Sequence, residues 1–431
     1  MVAVTSKRTL RVCIETRLGV NSPGGVRQVV IGLASALSRL DDGPEKYIFV
    51  VDPAATDWIR PYVSGQCSLQ PAGTASWRGR ARRHLRQLPH VADFRRRLAA
   101  SYAPARLLLS SDGTVEAAAA DVVHFVSQGG FRTRIPSMYQ LHDLQHIHLP
   151  EFFTHHDRSF RDVSYRALAR QATKVIAMTE WGARDIAMNL GVSGEKLAVV
   201  PWASVLDAYG TLSNGELARI RSQYALPRRF ALYPAQTWPH KNHLRLLEAL
   251  AQLRDQDIVV PLIAIGAKND SYPLIERRTQ DLGLQDSVRF LGFVDESVVG
   301  ALYRLAHCLV FPSLFEGWGL PVTEALAAEL PVACADLPVL REQAGDACLW
   351  FDPTDVRSIA KSLRDVWVDE ATRRRLASIG HVVADRYSWS RTARTFRALY
   401  REIAGSQLTT EDYSLLEDAA FAGRSFLEPT G

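Results

Sequence analysis

Short apolar runs alternate with helical patterns along almost the whole of this chain, and that alternation limits the possible folds more than any other feature. In the first half the strand-like runs are Leu10–Glu15, Tyr47–Val51, Val122–Val126, Ser137–Leu141, Lys174–Met178 and Leu197–Val200. In the second half they are Phe230–Pro234, Val259–Ile265, Val288–Leu291, Cys308–Phe311, Pro331–Ala335 and Cys348–Phe351. Strands that alternate with helices indicate an α/β architecture with parallel sheets. Two consecutive sets of this kind predict two Rossmann-like domains, and 431 residues is long for one domain but suits two. The junction is expected where Ser, Gly and Asn cluster, near residues 203–215. The expected division is therefore 1–205 for the first domain and 206–388 for the second. Residues 389–404 read as an amphipathic helix, and 405–431, with five acids and one arginine, as a mobile acidic tail.

Several function classes are disfavoured at this stage. No run of 18 apolar residues occurs, so no transmembrane helix is expected. Met1 to Thr9 lacks the apolar segment of a secretory signal. Five scattered cysteines, mostly inside strand-like runs, read as small core residues in a reducing cytosol rather than as disulfides or a zinc site. A cytoplasmic location follows as the expectation. Neither half carries a G-x-G-x-x-G fingerprint, which weakens a dinucleotide-dependent reading.

The stretch Phe311-Pro312-Ser313-Leu314-Phe315-Glu316-Gly317-Trp318-Gly319-Leu320-Pro321-Val322-Thr323-Glu324 carries the most chemistry. Two carboxylates stand eight positions apart across a glycine-rich turn, between a buried strand and a helical run. Pro321 suits the first turn of a helix, where its missing N–H is not needed. Glu316 is then expected in the turn and Glu324 on the opening turn of the helix. Uncapped N–H groups there, approached closely past Gly317 and Gly319, would make an anion site. An anion site flanked by two hydroxyl-accepting carboxylates matches the outline of a nucleotide-diphosphate sugar.

This segment resembles the donor site of retaining glycosyltransferases of the GT-B fold, family 4. Three further segments resemble the same family in the same order. Gly24-Gly25-Val26 is similar to its glycine loop. Gln140-Leu141-His142-Asp143-Leu144-Gln145, followed by Pro150-Glu151-Phe152-Phe153, is similar to its acceptor-side histidine segment. Tyr233-Pro234-Ala235-Gln236-Thr237-Trp238-Pro239-His240-Lys241-Asn242-His243 resembles the basic loop that opens the donor domain in mannosyltransferase-like members. The resemblance implies two Rossmann-like domains facing across a cleft, with a C-terminal helix crossing back to the first.

It also implies roles. Lys241 would be the cation on the diphosphate, at the start of a helix Leu244–Leu253 where a lysine opposes the helix dipole. Glu316 would contact the hydroxyls of the transferred sugar and Glu324 the ribose. Gly24, Gly25, Gln236, Gly317, Trp318, Gly319 and Leu320 would complete the donor site. His142 would act on the acceptor side, as a neutral imidazole that binds sugar or helps remove a proton. Many members carry an arginine where Gln236 stands, which puts in question how the lost charge is replaced. Structural readings stay open: an ordinary β–α turn at Gly24-Gly25, a first-turn acid at Glu324, a loop capped by Asp143 at His142. His142 and His146 have i, i+4 spacing, but Leu149-Pro150 breaks any helix there, so no metal site is expected. No cofactor is expected either; the nucleotide-diphosphate sugar is substrate.

The implied reaction is transfer of a sugar with retention, from GDP-mannose in the favoured reading, onto a glycan or lipid-linked acceptor in polysaccharide assembly. UDP-sugars and dTDP-rhamnose remain open, as do a phosphorylase- or synthase-type enzyme and a non-catalytic nucleotide-sugar sensor or scaffold. Residues 78–106 carry nine arginines against one acid, interleaved with Leu85, Leu88, Val91, Phe94 and Leu98 on one helical face. This block is either a solvated surface helix or a contact for an anionic membrane, with Arg82, Arg83, Arg95, Arg96 and Arg97 as the contact residues. No nucleic-acid recognition motif accompanies it.

Overall fold

The computed structural model describes residues 9–18, 24–73 and 110–423. The arginine-rich stretch with Arg82, Arg83, Arg95, Arg96 and Arg97 lies outside them. The chain forms two compact units. The first comprises Met1–Ser22, Val26–Pro201 and Trp389–Gly431; the second comprises Pro23–Gly25 and Trp202–Ser388.

The first unit is built on a seven-stranded sheet in the order β3-β2-β1-β4-β5-β6-β7. Its strands are β1 (Arg11–Glu15), β2 (Lys46–Val51), β3 (Cys67–Pro71), β4 (Val122–Phe125), β5 (Ser137–Gln140), β6 (Lys174–Ala177) and β7 (Leu197–Val199). Every pairing is parallel. Six of these strands fall on runs expected from the sequence. β3 does not, for a physical reason: among the described residues it is an edge strand paired only to β2, and of its five residues only Cys67 is buried. A strand with one neighbour and one buried side chain carries almost no apolar signal.

The second unit holds a six-stranded parallel sheet in the order β10-β9-β8-β11-β12-β13. The strands are β8 (Ala231–Pro234), β9 (Leu262–Ile265), β10 (Val288–Gly292), β11 (Cys308–Phe311), β12 (Val332–Ala335) and β13 (Cys348–Phe351). β9 starts later than the expected Val259 because Pro261 has no N–H to give to the ladder. All five cysteines are buried and unpaired by disulfides. Among the described residues, no helix is long and apolar enough to cross a membrane.

The helix Trp389–Ile403 belongs to the first unit. It docks through Trp389, whose ring lies where a Cβ on Gly32 would stand, so the helix Gly25–Leu37 needs a glycine there. Thr392 donates to the carbonyl of Pro201 at 2.9 Å. Deeper in, Tyr400 Oη lies 2.8 Å from His124 Nδ1. Arg397 pairs with Asp42, and Arg401 reaches Glu45 and Asp412, both at 2.7 Å.

That last contact corrects the expected mobile tail. Within its described part a helix, Thr410–Ala419, begins at a capping box in which Thr409 and Asp412 satisfy each other's backbone N–H groups. Asp412 is fully buried against Arg401, and Phe421 joins the first unit's core. The acids that read as a solvated tail therefore include one that holds the segment down.

Candidate active site

In an open parallel sheet, ligands bind beyond the carboxyl ends of the strands where the strand order reverses. In the second unit that point lies between β8 and β11. The loop after β8 carries Gln236 and Lys241, and the loop after β11 carries Glu316. Neighbouring strands therefore bring together two segments that are far apart in sequence. Lys241 Nζ lies 2.6 Å from Glu316 Oε1, and both side chains are largely buried.

The lysine loop is held from several sides. Pro239–Lys241 form a single 3-10 turn, and the following helix runs His243–Arg254. Lys241 thus lies just before the helix, as expected from a start near Leu244. Between them Asn242 adopts the left-handed conformation, φ 63°, which asparagine tolerates better than most residues. Its Nδ2 donates to the carbonyls of Pro312 (2.9 Å) and Pro353 (2.7 Å). Leu314 N donates to the carbonyl of His240 at 2.8 Å, tying the lysine loop to the glutamate loop. Tyr233 Oη donates to the carbonyl of Lys241, and Lys241 Nζ stands 5.5 Å from the centre of the Phe311 ring. Gln236 accepts from Trp238 Nε1 (3.1 Å) and Asn269 Nδ2 (3.3 Å), so it organises its own loop. Asn242 had no part in the sequence-derived site, although it directly follows Lys241.

The glycine turn has definite geometry. Gly319 caps the helix Leu320–Ala327 with φ 90°, and its side-chain position is filled by Leu340 Cδ2, 2.5 Å from where a Cβ would be. Only glycine fits there. A glycine cap offers no side chain, so the helix opens uncapped, next to Gly317 and Glu316. The side chain of Leu320 is buried. Trp318 departs from its expected place in the donor site: its indole is 3% exposed and packs edge-on against Tyr387, with ring centres 5.1 Å apart. It is an anchor for the turn.

Glu324 also differs from expectation. Counting from Leu320, it lies on the second turn of the helix, not the first, so the dipole-favoured first-turn reading falls. It is 1% exposed, and Tyr303 Oη donates to its Oε2 at 2.6 Å. Burial raises its pKa to about 7, against the opposing pull of the Tyr303 hydrogen bond. Tyr303 was not part of the sequence-derived site; it sits inside an ordinary apolar helix, Glu296–Leu305, with no local signal of its role.

Gly24, which groups with the second unit, has φ 138°, a conformation open to glycine, and Gly25 begins the helix Gly25–Leu37. In the first unit the acceptor-side candidate is His142. His142 follows β5 and its Nε2 lies 2.9 Å from the carbonyl of Val126. A carbonyl only accepts, so Nε2 carries the proton and, in the neutral ring, Nδ1 carries the lone pair. Burial lowers the pKa of His142, with Asp143 pulling it up, so the ring is neutral near pH 7. Asp143 accepts from Gln145 N and from Gln128 Nε2, and Gln128 in turn accepts from Tyr165. The loop-capping role of Asp143 and a defined tautomer at His142 therefore coexist. Glu15 and Asp112 both grip Arg17, at 2.6 and 2.7 Å, in the wall of a pocket of about 230 Å³ that also includes Ser127 and Phe131.

Residues 218–381 match the glycosyl transferases group 1 family. The chain is a glycosyltransferase with the GT-B fold. It is 27% identical over 264 residues to the O-antigen chain mannosyltransferase B of Escherichia coli, covering 60% of this chain and 68% of that one. It is 25% identical over 230 residues to the O-antigen chain mannosyltransferase RfbU of Salmonella typhimurium, covering 52% and 59%. A D-inositol 3-phosphate glycosyltransferase of Streptomyces bingchenggensis is 26% identical over 414 residues, 89% of this chain and 86% of that one. Among solved structures, Anabaena Alr3699/HepE in complex with UDP and glucose superposes with a TM-score of 0.65 at 18% identity, over 91% of this chain and 100% of that one. WaaG, a glycosyltransferase involved in lipopolysaccharide biosynthesis, gives 0.60 at 16% identity, over 92% and 100%. Both structural likenesses speak to the fold.

Proposed function

We propose that this glycosyltransferase moves mannose from GDP-mannose, with retention, onto a glycan or lipid-linked acceptor in polysaccharide assembly. The Lys241–Glu316 pair at the reversal point of the second sheet carries the reading. One loop presents a cation and the next a carboxylate, so a sugar diphosphate would set its phosphates on Lys241 and its hydroxyls on Glu316. The uncapped start of the helix Leu320–Ala327 adds N–H dipoles for the diphosphate. As the bond to the anomeric carbon breaks, charge grows on the leaving phosphate, and groups already aimed at it lower the barrier. Glu324 would bind the ribose, Gly24 and Gly25 would let backbone approach the phosphates, and His142 would serve the acceptor side. Retention is read as same-face attack with the departing phosphate as base. Likeness to O-antigen mannosyltransferases favours mannose and polysaccharide assembly.

The reaction is proposed to need no metal ion, because Lys241 and backbone N–H groups meet the diphosphate's charge. A donor panel tests the whole reading. Purified protein should release GDP from GDP-mannose slowly in the absence of acceptor, and chelator should leave that rate unchanged. Release of UDP from a UDP-sugar instead would reassign the donor. Tight binding of one donor with no release would favour a sensor.

A further inference from the structure

The pocket beside Arg17 has no part in the donor chemistry. It lies in the first unit, at the place that corresponds to the Lys241–Glu316 position in the second. Strand order reverses between β1 and β4. Beyond the carboxyl ends of those strands, the pocket is lined by Glu15, the last residue of β1, and Ser127, just past β4. We propose that this pocket, walled by Glu15, Arg17 and Asp112, seats an uncharged sugar ring at the accepting end of the acceptor and turns away phosphorylated rings. The word acceptor rests on the proposed transferase reaction; the kind of ring rests on the pocket alone.

Among the described residues that line the pocket, Glu15, Arg17 and Asp112 are the charged ones. Two carboxylates therefore meet one guanidinium, and the cation between them is already supplied. Arg17 Nε and Nη2 donate to Glu15 Oε1 and Oε2 at 2.6 and 2.8 Å, and Nη1 donates to Asp112 Oδ2 at 2.7 Å. Burial by itself would raise the pKa of Asp112, but Arg17 and Thr114 outweigh it and hold the carboxyl below its ordinary range. The acids exceed the guanidinium by one charge, so a further anion is repelled. A neutral hydroxyl suits the set better, because it donates to a carboxylate and accepts from a guanidinium N–H at once. The guanidinium carries N–H groups beyond the three bonds it gives to described residues, and a carboxylate offers about four acceptor sites. Apolar surface is present too. The guanidinium lies 5.2 Å from the centre of the Phe131 ring, which packs edge-on against Phe125 at 5.0 Å. A sugar ring brings hydroxyls at its rim and C–H groups on its faces. The volume of about 230 Å³ falls below the roughly 300–1,000 Å³ of sites for drug-sized ligands, which suits one ring. The wall also runs on to the acceptor-side histidine: His142 Nε2 is held on the carbonyl of Val126, and Val126 directly precedes Ser127.

Saturation-transfer NMR on the full chain reads the pocket without any donor. The probes are the methyl α-glycosides of mannose, glucose and galactose, each set against its 6-phosphate, at about 1–10 mM. At least one methyl glycoside should bind, with its 6-phosphate about ten-fold weaker. In Asp112→Asn that gap should close, because the excess charge is gone. If Asp112 only fixes its loop, the variant would unfold at a lower temperature with the ratio unmoved, and the proposal would be overturned. Equal or tighter binding of the 6-phosphate by the unaltered protein would overturn it too, as would no binding of any methyl glycoside. Gly129→Leu is the second variant and leaves the charged groups in place. Among the described residues, a Cβ there meets only Ser127 Oγ, at 3.7 Å, so the backbone has room for a side chain that crowds the pocket. It should weaken the bound glycoside about ten-fold or more, and unchanged binding would place the ring elsewhere and overturn the site. The donor's own sugar is the other source of such a ring. The 2-fluoro analogue of whichever donor the protein hydrolyses should leave the glycoside signal in place; displacement by it would give the pocket to the donor and overturn the acceptor assignment. The glycoside test does not depend on the donor panel, so the two readings fail separately.

Discussion

Lys241 Nζ and Glu316 Oε1 form a 2.6 Å ion pair across 75 positions of sequence, with side chains 17% and 11% exposed. Before any donor arrives, the cation assigned to the diphosphate is neutralised by the carboxylate assigned to the sugar. The two groups are therefore coupled, and a change in one alters the charge seen through the other.

Lys241→Ala should cut turnover by about 10²–10³, as for loss of one preorganised charge stabiliser, and should weaken binding of GDP alone. Glu316→Gln should also reduce turnover. It should leave GDP binding undiminished or tighter, because the lysine is then uncompensated. Steady-state rates and calorimetry on both variants check this. A loss of GDP affinity in Glu316→Gln equal to that in Lys241→Ala would contradict the coupling.

Gly319→Ala should destabilise the second unit, since the added carbon meets Leu340 at 2.5 Å in a conformation that alanine resists. Trp318→Ala should cost about 3–5 kcal/mol through the cavity left beside Tyr387. Trp318→Phe should be milder and should retain nucleotide affinity in the folded protein, because the indole packs in the core. Urea unfolding together with nucleotide titration would distinguish this from a direct donor contact.

Asp412→Asn should cost about 3–5 kcal/mol, the usual penalty for removing one partner of a buried pair. Burial by itself would raise the pKa of Asp412. Hydrogen bonds from Thr409 and Arg401 outweigh it and hold the carboxylate below its ordinary range. A depressed folded pKa adds stability that is fully present above the unfolded value, about 3.9, and is lost as pH falls through the folded one. The gap between the two proteins should therefore be constant from neutral pH to about pH 5 and shrink below about pH 4. Urea midpoints measured across that range provide the check. A gap unchanged in acid would mean the contact does not titrate with Asp412.

Replacing Arg82, Arg83, Arg95, Arg96 and Arg97 with Gln should abolish co-sedimentation with anionic vesicles at low salt, each arginine near such a surface contributing about 1 kcal/mol. High salt should do the same to the unaltered protein. Donor hydrolysis should survive in the variant. Sedimentation that persists would leave the block as solvated surface and remove the support for a lipid-linked acceptor.

What the chain determines locally, it shows in its sequence. Twelve strands, the helix Trp389–Ile403 and the glycine turn at 317–319 follow from periodicity, proline and glycine placement, and the lysine loop from its resemblance to a known motif, because each depends on residues close together in the chain. Strand order leaves no such trace. Adjacency of β8 and β11 is a property of the sheet, and it alone turns Lys241 and Glu316 into a pair. Burial is also non-local: the same composition that suits a donor-site tryptophan puts Trp318 against Tyr387, and an acid placed on a first turn turns out to be Glu324, enclosed on the second and held by Tyr303 from another helix. The acidic C-terminal stretch shows the same limit. Its charges favour solvent until Arg401, from a helix already docked on the first sheet, supplies the partner that makes burying Asp412 favourable.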